Sequence, residues 1–557
     1  MLKRLYVLLS FSVAASMALS ACGSGGFLGG NQVEVSIVYG SEKQEWLEPL
    51  VEEFNQARNE TESGATIVVE ATPMGSVASA DAIVSEAIQP TVWSPASDVY
   101  IPVANAAWRK THSADLVDSK LNNLVLSPVV IAMWRPMAEA LGWPDTPIGW
   151  SDISAMSISE EGWAAYGYPE WGSFKFGHTH PNFSNSGLVS VIAQAYAGAQ
   201  KQRGLTVEDL RAPALQEFMS AVQSSIIHYG ESTGFFAVRM FERGPSYLSA
   251  AVMYENLVVA QESKRLSGES SQLPVVAIYP EEGTFWSNHP YAILNAPWVD
   301  AEQRAAAEIF EAYLLDRPQQ ERAIQYGFRP ADPSIPLTSP LDAQHGVDIN
   351  QPATVLEVPS AEAISAVQDL WSQVKKPVDV TVVMDVSGSM EGDKIAAARE
   401  SLITFIELLD DRDRLQITLF NMELIDLTAL SPVGEKRADT IRRVSGIVEE
   451  GGTRLYDGAL KGYQDLENNA DPGHIRAVVV LSDGRDTDSG MNMSQLLDYI
   501  GASGEESGRS IKVFTIAFGD DADEEILRNI AESTGGRMYK GDPASIRDVY
   551  IEIETFF

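Results

Sequence analysis

The chain is 557 residues long, 45% hydrophobic and 21% charged, a globular composition that excludes a mainly disordered, collagenous or polytopic membrane protein and leaves room for roughly two to four domains. Forty basic against seventy-seven acidic side chains give a formal charge of −37, so phosphate backbones are repelled and nucleic acid is excluded as a partner. The single cysteine, Cys22, rules out an intramolecular disulfide framework and a thiolate metal cluster.

Lys3 and Arg4 precede an apolar run from Leu5 to Leu19, broken only by small serines, and Leu19-Ser20-Ala21-Cys22 follows. This is the layout of an export signal. About fifteen apolar residues are short for a membrane span, which needs roughly twenty, so cleavage is expected and residues 1–21 are set aside from the fold. Leu-Ser-Ala-Cys resembles the bacterial lipobox, and that resemblance implies cutting before Cys22 and acylation of its thiol and new amino group. Residues 22–30, with Gly23, Gly25, Gly26, Gly29 and Gly30, read as a flexible tether. No later run is long enough to span a membrane. The expectation is an exported protein held to the cell membrane by a lipid anchor, outside the cytoplasm.

Residues 31–365 alternate strand and helix signals. Glu34 to Val38 reads as a strand ending in Tyr39-Gly40-Ser41-Glu42-Lys43, followed by a helix through Trp46, Leu50 and Phe54. Ile67 to Val69 is the next strand; Pro73-Met74-Gly75-Ser76 leads into a helix, and Thr91 to Ala96 follows a third short strand. Asn123 to Met133, and Pro274 to Tyr279 followed by Asn288 to Leu294, read as strands that leave one lobe and return to it. Two lobes and a cleft follow. The segments VYGSEK, VWSPAS, SPVVIAMW, FKFGHTHPNFSNSG, YEN, IYPEEGTFW and GFRPA resemble those of type II extracellular solute-binding proteins, especially the branch in which such a domain precedes a von Willebrand A domain. By that resemblance Ser41 and Ser76 line one lobe, Ser184, Asn185 and Ser186 the other, with Tyr254 nearby, and a small solute occupies the cleft. Ser hydroxyls and helix N-termini suit an oxyanion, yet Glu42 and Glu255 count against a small anion. An organic ligand, a peptide end or no ligand are the alternatives, and the same residues also suit plain helix capping.

His178 and His180 form an H-x-H pair that in a strand faces one way and suits zinc, but no acidic third ligand accompanies it and a structural reading is preferred. All eleven tryptophans fall between Trp46 and Trp371, where core and lobe packing is favoured over a sugar platform. Their absence from the last third marks a change of domain. Ser339 to Ala361 reads as the approach to a linker at 366–376, with a boundary near residue 375.

Residues 377–557 repeat strand, turn, helix. Val378 to Met384 ends at Asp385 and is followed by a helix from about Lys394 to Leu409; further strands are Leu415 to Phe420, Ala477 to Leu481 and Ile511 to Phe518. Nearly continuous apolar strands imply a parallel sheet covered on both faces, a doubly wound α/β domain. Ligands of such sheets bind at the carboxyl ends of the strands. Three loops belong there: Asp385-Val386-Ser387-Gly388-Ser389, Gly451-Gly452-Thr453 and Ser482-Asp483-Gly484. They offer carboxylates and hydroxyls without imidazole or thiolate, a hard-oxygen set suited to Mg²⁺, Mn²⁺ or Ca²⁺. DVSGS, GGT and SDG in this order resemble the metal-ion-dependent adhesion site of von Willebrand factor A domains. That resemblance implies that Ser387, Ser389 and Thr453 place hydroxyls on the metal, that Asp385 and Asp483 act directly or through water, and that a protein partner's Asp or Glu completes the shell. Asp486 and Asp488 read as a solvated loop, and Asp520 to Glu525 as serving the next helix N-terminus.

The resulting expectation is a membrane-anchored binding protein, not an enzyme, since no nucleophile elbow, zinc-protease motif or phosphate-binding P-loop is present. The alternative is a solute receptor of an ABC importer with the second domain as accessory.

Overall fold

The computed structural model describes residues 32–471, 473–483, 485–501, 511–519 and 522–556; the export signal, Cys22, the glycine tether, Gly484 and Asp520 lie outside the described residues. The N-terminal part contains strands β1 (Gln32–Tyr39), β2 (Thr66–Pro73), β3 (Val92–Ser94), β4 (Asn122–Asn123), β5 (Val125–Trp134), β6 (Phe176–Gly177), β7 (Ala250–Tyr254), β8 (Val275–Ile278), β9 (Trp286–Ser287), β10 (Pro290–Ile293) and β11 (Arg329–Pro330). They form two sheets. Lobe 1 is ordered β2-β1-β3-β10-β4; lobe 2 is ordered β11-β5-β7-β6, with β8 and β9 also pairing with β5. The chain crosses between lobes at Leu124 and returns between β9 and β10, the crossing anticipated from the two apolar runs. Alternation in β1 buries Val33, Val35 and Ile37 against the helix Gln44–Ala57, whose Trp46, Leu47, Leu50 and Phe54 supply the facing stripe.

The C-terminal part contains β12 (Val378–Asp385), β13 (Arg414–Phe420), β14 (Leu424–Pro432), β15 (Ile475–Ser482), β16 (Lys512–Phe518) and β17 (Met538–Gly541), in the order β14-β13-β12-β15-β16-β17. Every residue of β12 is buried, as expected of a central strand covered by helices on both faces. The parallel reading holds for five strands. The sixth, β14, pairs antiparallel to β13. Its part-exposed sequence, interrupted by Asp426, Thr428 and Ser431, lacks the continuous apolar run that marks a buried strand, which is why it escapes detection; as an edge strand it needs only one paired side.

Most of the segment expected as a linker is helix. Ser360 caps the helix Ala361–Val374 by accepting the Ala363 N–H, 3.2 Å away. This helix buries Ile364, Val367, Leu370 and Trp371 and touches the lobe-1 helix Ile101–Trp108 as well as the lobe-2 helices Asn185–Gly198 and Pro213–Gln223. Trp371 Nε1 donates to Gln223 Oε1 at 3.2 Å, Lys376 Nζ donates to the Ile226 carbonyl at 3.1 Å, and the Tyr229 N–H donates to the Phe556 carbonyl at 3.1 Å. One buried apolar cluster therefore runs from lobe 1 through lobe 2 into the second domain. Among the described residues no helix is long and apolar enough to cross a membrane.

Candidate metal centre and cleft

The three expected loops meet at the carboxyl edge of β12 and β15. Asp385, last residue of β12, is fully buried; its Oδ1 accepts the Ser387 N–H at 2.8 Å and its Oδ2 accepts the Ser482 hydroxyl at 2.6 Å. Ser387 Oγ and Ser389 Oγ lie 2.9 Å apart on the tight turn that follows. The Gly388 N–H donates to the Gly451 carbonyl at 2.9 Å, and the Glu450 N–H donates to the Val386 carbonyl at 2.8 Å. These bonds dock the second loop onto the first. Gly451 takes a φ of +80°, in the left-handed region that glycine enters without penalty. Thr453 is then held by its backbone: its N–H donates to Thr487 Oγ1 at 2.9 Å and its carbonyl accepts the Thr487 N–H at 2.9 Å. Thr487 was not singled out from sequence, because its role rests on a contact 34 residues away.

Burial pushes the Asp385 carboxyl up to about 6, and the nearby charge of Asp483 adds to the rise against the hydrogen bonds from Ser387 and Ser482. Asp483 is itself buried, and its carboxylate accepts only the Arg485 N–H, at 3.4 Å, among the described residues. The Thr453 hydroxyl makes no hydrogen bond among the described residues. Two converging carboxylates and three hydroxyls with spare acceptor capacity fit a hard divalent cation. They do not fit zinc; among the described residues no three of His, Cys, Asp and Glu gather as a metal-binding group. Asp523 accepts the Ile526 N–H at 3.2 Å and caps the helix Glu524–Ser533, the role anticipated for that acidic stretch.

The expected cleft residues are each tied to other groups of the protein, and Asn185 and Tyr254 to each other. Ser41 Oγ donates to Ser232 Oγ at 3.1 Å. Ser76 Oγ accepts the Ala96 N–H at 2.9 Å. Asn185 accepts the Ser97 hydroxyl and donates to Tyr254 Oη at 3.0 Å. Ser184 Oγ lies 3.2 Å from Thr233 Oγ1, and Ser186 Oγ accepts from Thr233 at 2.8 Å while lying 2.7 Å from Thr179 Oγ1. All six expected residues are buried, Ser186 and Tyr254 completely. Glu42 pairs with Lys43 at 3.0 Å and His289 at 3.3 Å; although burial opposes it, those neighbours hold its carboxyl down at about 2. Glu255 faces Arg329 through two bonds, at 2.8 and 2.6 Å. Neither glutamate is a bare charge.

His178 and His180 are buried. His178 Nε2 lies 3.3 Å from Gln223 Oε1 and its Nδ1 2.7 Å from the Thr179 carbonyl. His180 Nδ1 accepts the Asn182 N–H at 3.2 Å, and its Nε2 lies 3.9 Å from Glu554 Oε1 at the domain seam. Trp46, Trp93, Trp108, Trp134, Trp163 and Trp371 are among the largest fully buried side chains.

A family model described as bacterial extracellular solute-binding protein matches residues 35–329, more than half of the chain. The chain belongs to that solute-binding protein family. A second model, von Willebrand factor type A domain, matches residues 379–549, so this solute-binding protein carries a von Willebrand A domain after its two lobes. It is 23% identical over 494 residues to an uncharacterized protein of Mycobacterium tuberculosis, covering 84% of this chain and 68% of that one. It is 29% identical over 189 residues to human (Homo sapiens) inter-alpha-trypsin inhibitor heavy chain H4, covering 32% of this chain and 20% of that one. Among solved structures, a periplasmic thiamin binding protein aligns with a TM-score of 0.45 at 10% identity, covering 63% of this chain and 99% of the other. A von Willebrand factor type A protein from Catenulispora acidiphila aligns with a TM-score of 0.29 at 21% identity, covering 32% of this chain and 42% of the other.

Proposed function

We propose that this protein is an exported, lipid-anchored binding protein whose von Willebrand A domain captures an acidic side chain of a protein partner through a divalent cation, Mg²⁺ or in its place Mn²⁺ or Ca²⁺. Asp385, Ser387, Ser389, Thr453 and Asp483 would hold the ion. When bound, the cation would supply positive charge that few carboxylates neutralise, leaving a coordination position for a carboxylate from outside. This chain's residues do the positioning: Ser482 and the Ser387 N–H orient Asp385, and Thr487 fixes the backbone of Thr453. The observation that carries the reading is the set of rim oxygens with spare acceptor capacity, the Thr453 hydroxyl and the Asp483 carboxylate foremost. Titration calorimetry of the mature chain with MgCl₂ tests it: saturable binding lost in Thr453→Ala supports the site, and equal binding by both proteins overturns it. Cys22 would carry the anchor, and Cys22→Ser should move the protein from the membrane to the soluble fraction.

Family membership favours a second reading, in which the lobes take a small solute for an importer. That reading requires Ser41, Ser76, Ser184, Asn185, Ser186 and Tyr254 to face the solute.

A further inference from the structure

We infer that the two lobes are latched shut by the chain itself, with the loop 178–184 of lobe 2 occupying the place where a solute would bridge them, so that the solute-binding fold serves here as a rigid support and not as a solute receptor. The central contact is at the helix Ser76–Val84 of lobe 1. The first N–H groups of a helix have no acceptor within it and, with the helix dipole, ordinarily attract an anionic ligand. Here the Phe183 carbonyl of lobe 2 takes that position, accepting both the Val77 and Ala78 N–H groups at 3.2 Å. The first bond within the helix is the next one along, from the Ser79 N–H to the Gly75 carbonyl at 2.8 Å.

The remaining cross-lobe contacts have the same character. Ser41 meets Ser232, Ser97 meets Asn185, and Asn256 Nδ2 donates to the Glu42 carbonyl at 3.4 Å. The first two use Ser41 and Asn185, polar groups that the family resemblance assigns to a solute. Every such pair would have to be broken and its buried members re-satisfied before a ligand could enter, since a buried polar group left without a partner is costly. The loop is also held from behind. Gln368 on the helix Ala361–Val374 donates to Asn182 Oδ1 at 3.0 Å and to the Pro181 carbonyl at 3.4 Å. That helix rests on both lobes, so it splints the closed arrangement and ties it to the second domain.

Gly75 offers a direct test. Its φ of −57° and ψ of 141° suit any residue, but a Cβ there would lie 2.4 Å from the Phe183 carbonyl oxygen. Alanine therefore presses on the latch without straining its own backbone. Hydrogen exchange of the mature chain reads the Val77 and Ala78 amides, which nothing within their own helix protects. With no added solute, wild type should protect both, and Gly75→Ala should speed their exchange on the order of tenfold or more while the β12 amides stay unchanged. Ser232→Ala, which removes one cross-lobe bond and no backbone contact, should speed them less. Sulfate, the probe for an open helix terminus, should leave wild-type exchange as it was. Fast exchange of these two amides in wild type, slowed by sulfate, would overturn the latch. So would Gly75→Ala exchanging as slowly as wild type. The outcome does not depend on metal binding, so its failure and that of the cation reading are separable.

Discussion

The metal rim and the interlobe cleft are built from similar parts: serine and threonine hydroxyls, a carboxylate or amide, and backbone at the carboxyl ends of strands. At the rim the three loops meet, and the Thr453 hydroxyl and the Asp483 carboxylate are left short of partners among the described residues. In the cleft every expected residue has found a partner within the protein, Ser41 and Asn185 across the lobes. Residue type alone thus does not distinguish an open site from a closed joint. The balance of donors and acceptors does, because a buried polar group must be paired by something.

Substitutions can break this contrast at either end. The largest expected effect is on cation affinity. Thr453→Ala or Asp483→Ala should weaken Mg²⁺ binding by on the order of 100-fold, at least the loss typical of a removed supporting group, as read by calorimetry. Next comes the cleft: Asn185→Ala strands the buried Ser97 and Tyr254 hydroxyls and should cost about 1–3 kcal/mol in urea unfolding, with Mg²⁺ affinity unchanged. A loss of Mg²⁺ affinity in that variant would mean that the two regions are energetically joined.

The seam between domains supplies a pH-dependent effect. Burial raises the Glu554 carboxyl to about 7, although Lys375 opposes the rise. A carboxyl raised in the folded state keeps its proton while the unfolded chain releases one. Folded stability from this group is therefore greatest below the usual value of 4.5 and is lost as pH climbs toward 7. Relative to Glu554→Gln, wild type should lose up to about 1.4 kcal/mol per pH unit across that window, measured as the difference in urea midpoints. The smallest effect sharpens the rim: in EDTA, Thr453→Ala should stay within about 0.5 kcal/mol of wild type, since its hydroxyl has no partner to lose among the described residues.

Much of this was legible in the sequence. The apolar runs before Asp385 and Ser482 end where their strands end, so motif residues tens of positions apart could be assigned to one edge of one sheet. The two runs that carry the chain between lobes were legible for the same reason: strand signals are local. The latch was not. Ser41 and Ser232 are 191 residues apart and Ser97 and Asn185 are 88 apart, and nothing in a hydroxyl's own neighbourhood tells whether it will meet a solute or another hydroxyl. The helix Ala361–Val374 was missed because the Pro- and Asp-rich stretch before it reads as a linker and masks the apolar stripe of Ile364, Val367 and Trp371.

That stripe bears on how the protein can be divided. The Phe556 ring lies 4.8 Å from Phe514 and 5.8 Å from His228 of the other domain, with Arg239 stacked over it at 5.3 Å, while Trp371 packs against His180 and Tyr229. Cutting near residue 375 would leave each fragment with a wet aromatic face that water had never reached in the parent. Fragments made this way should stick to each other or to themselves. The unit of folding is accordingly the pair.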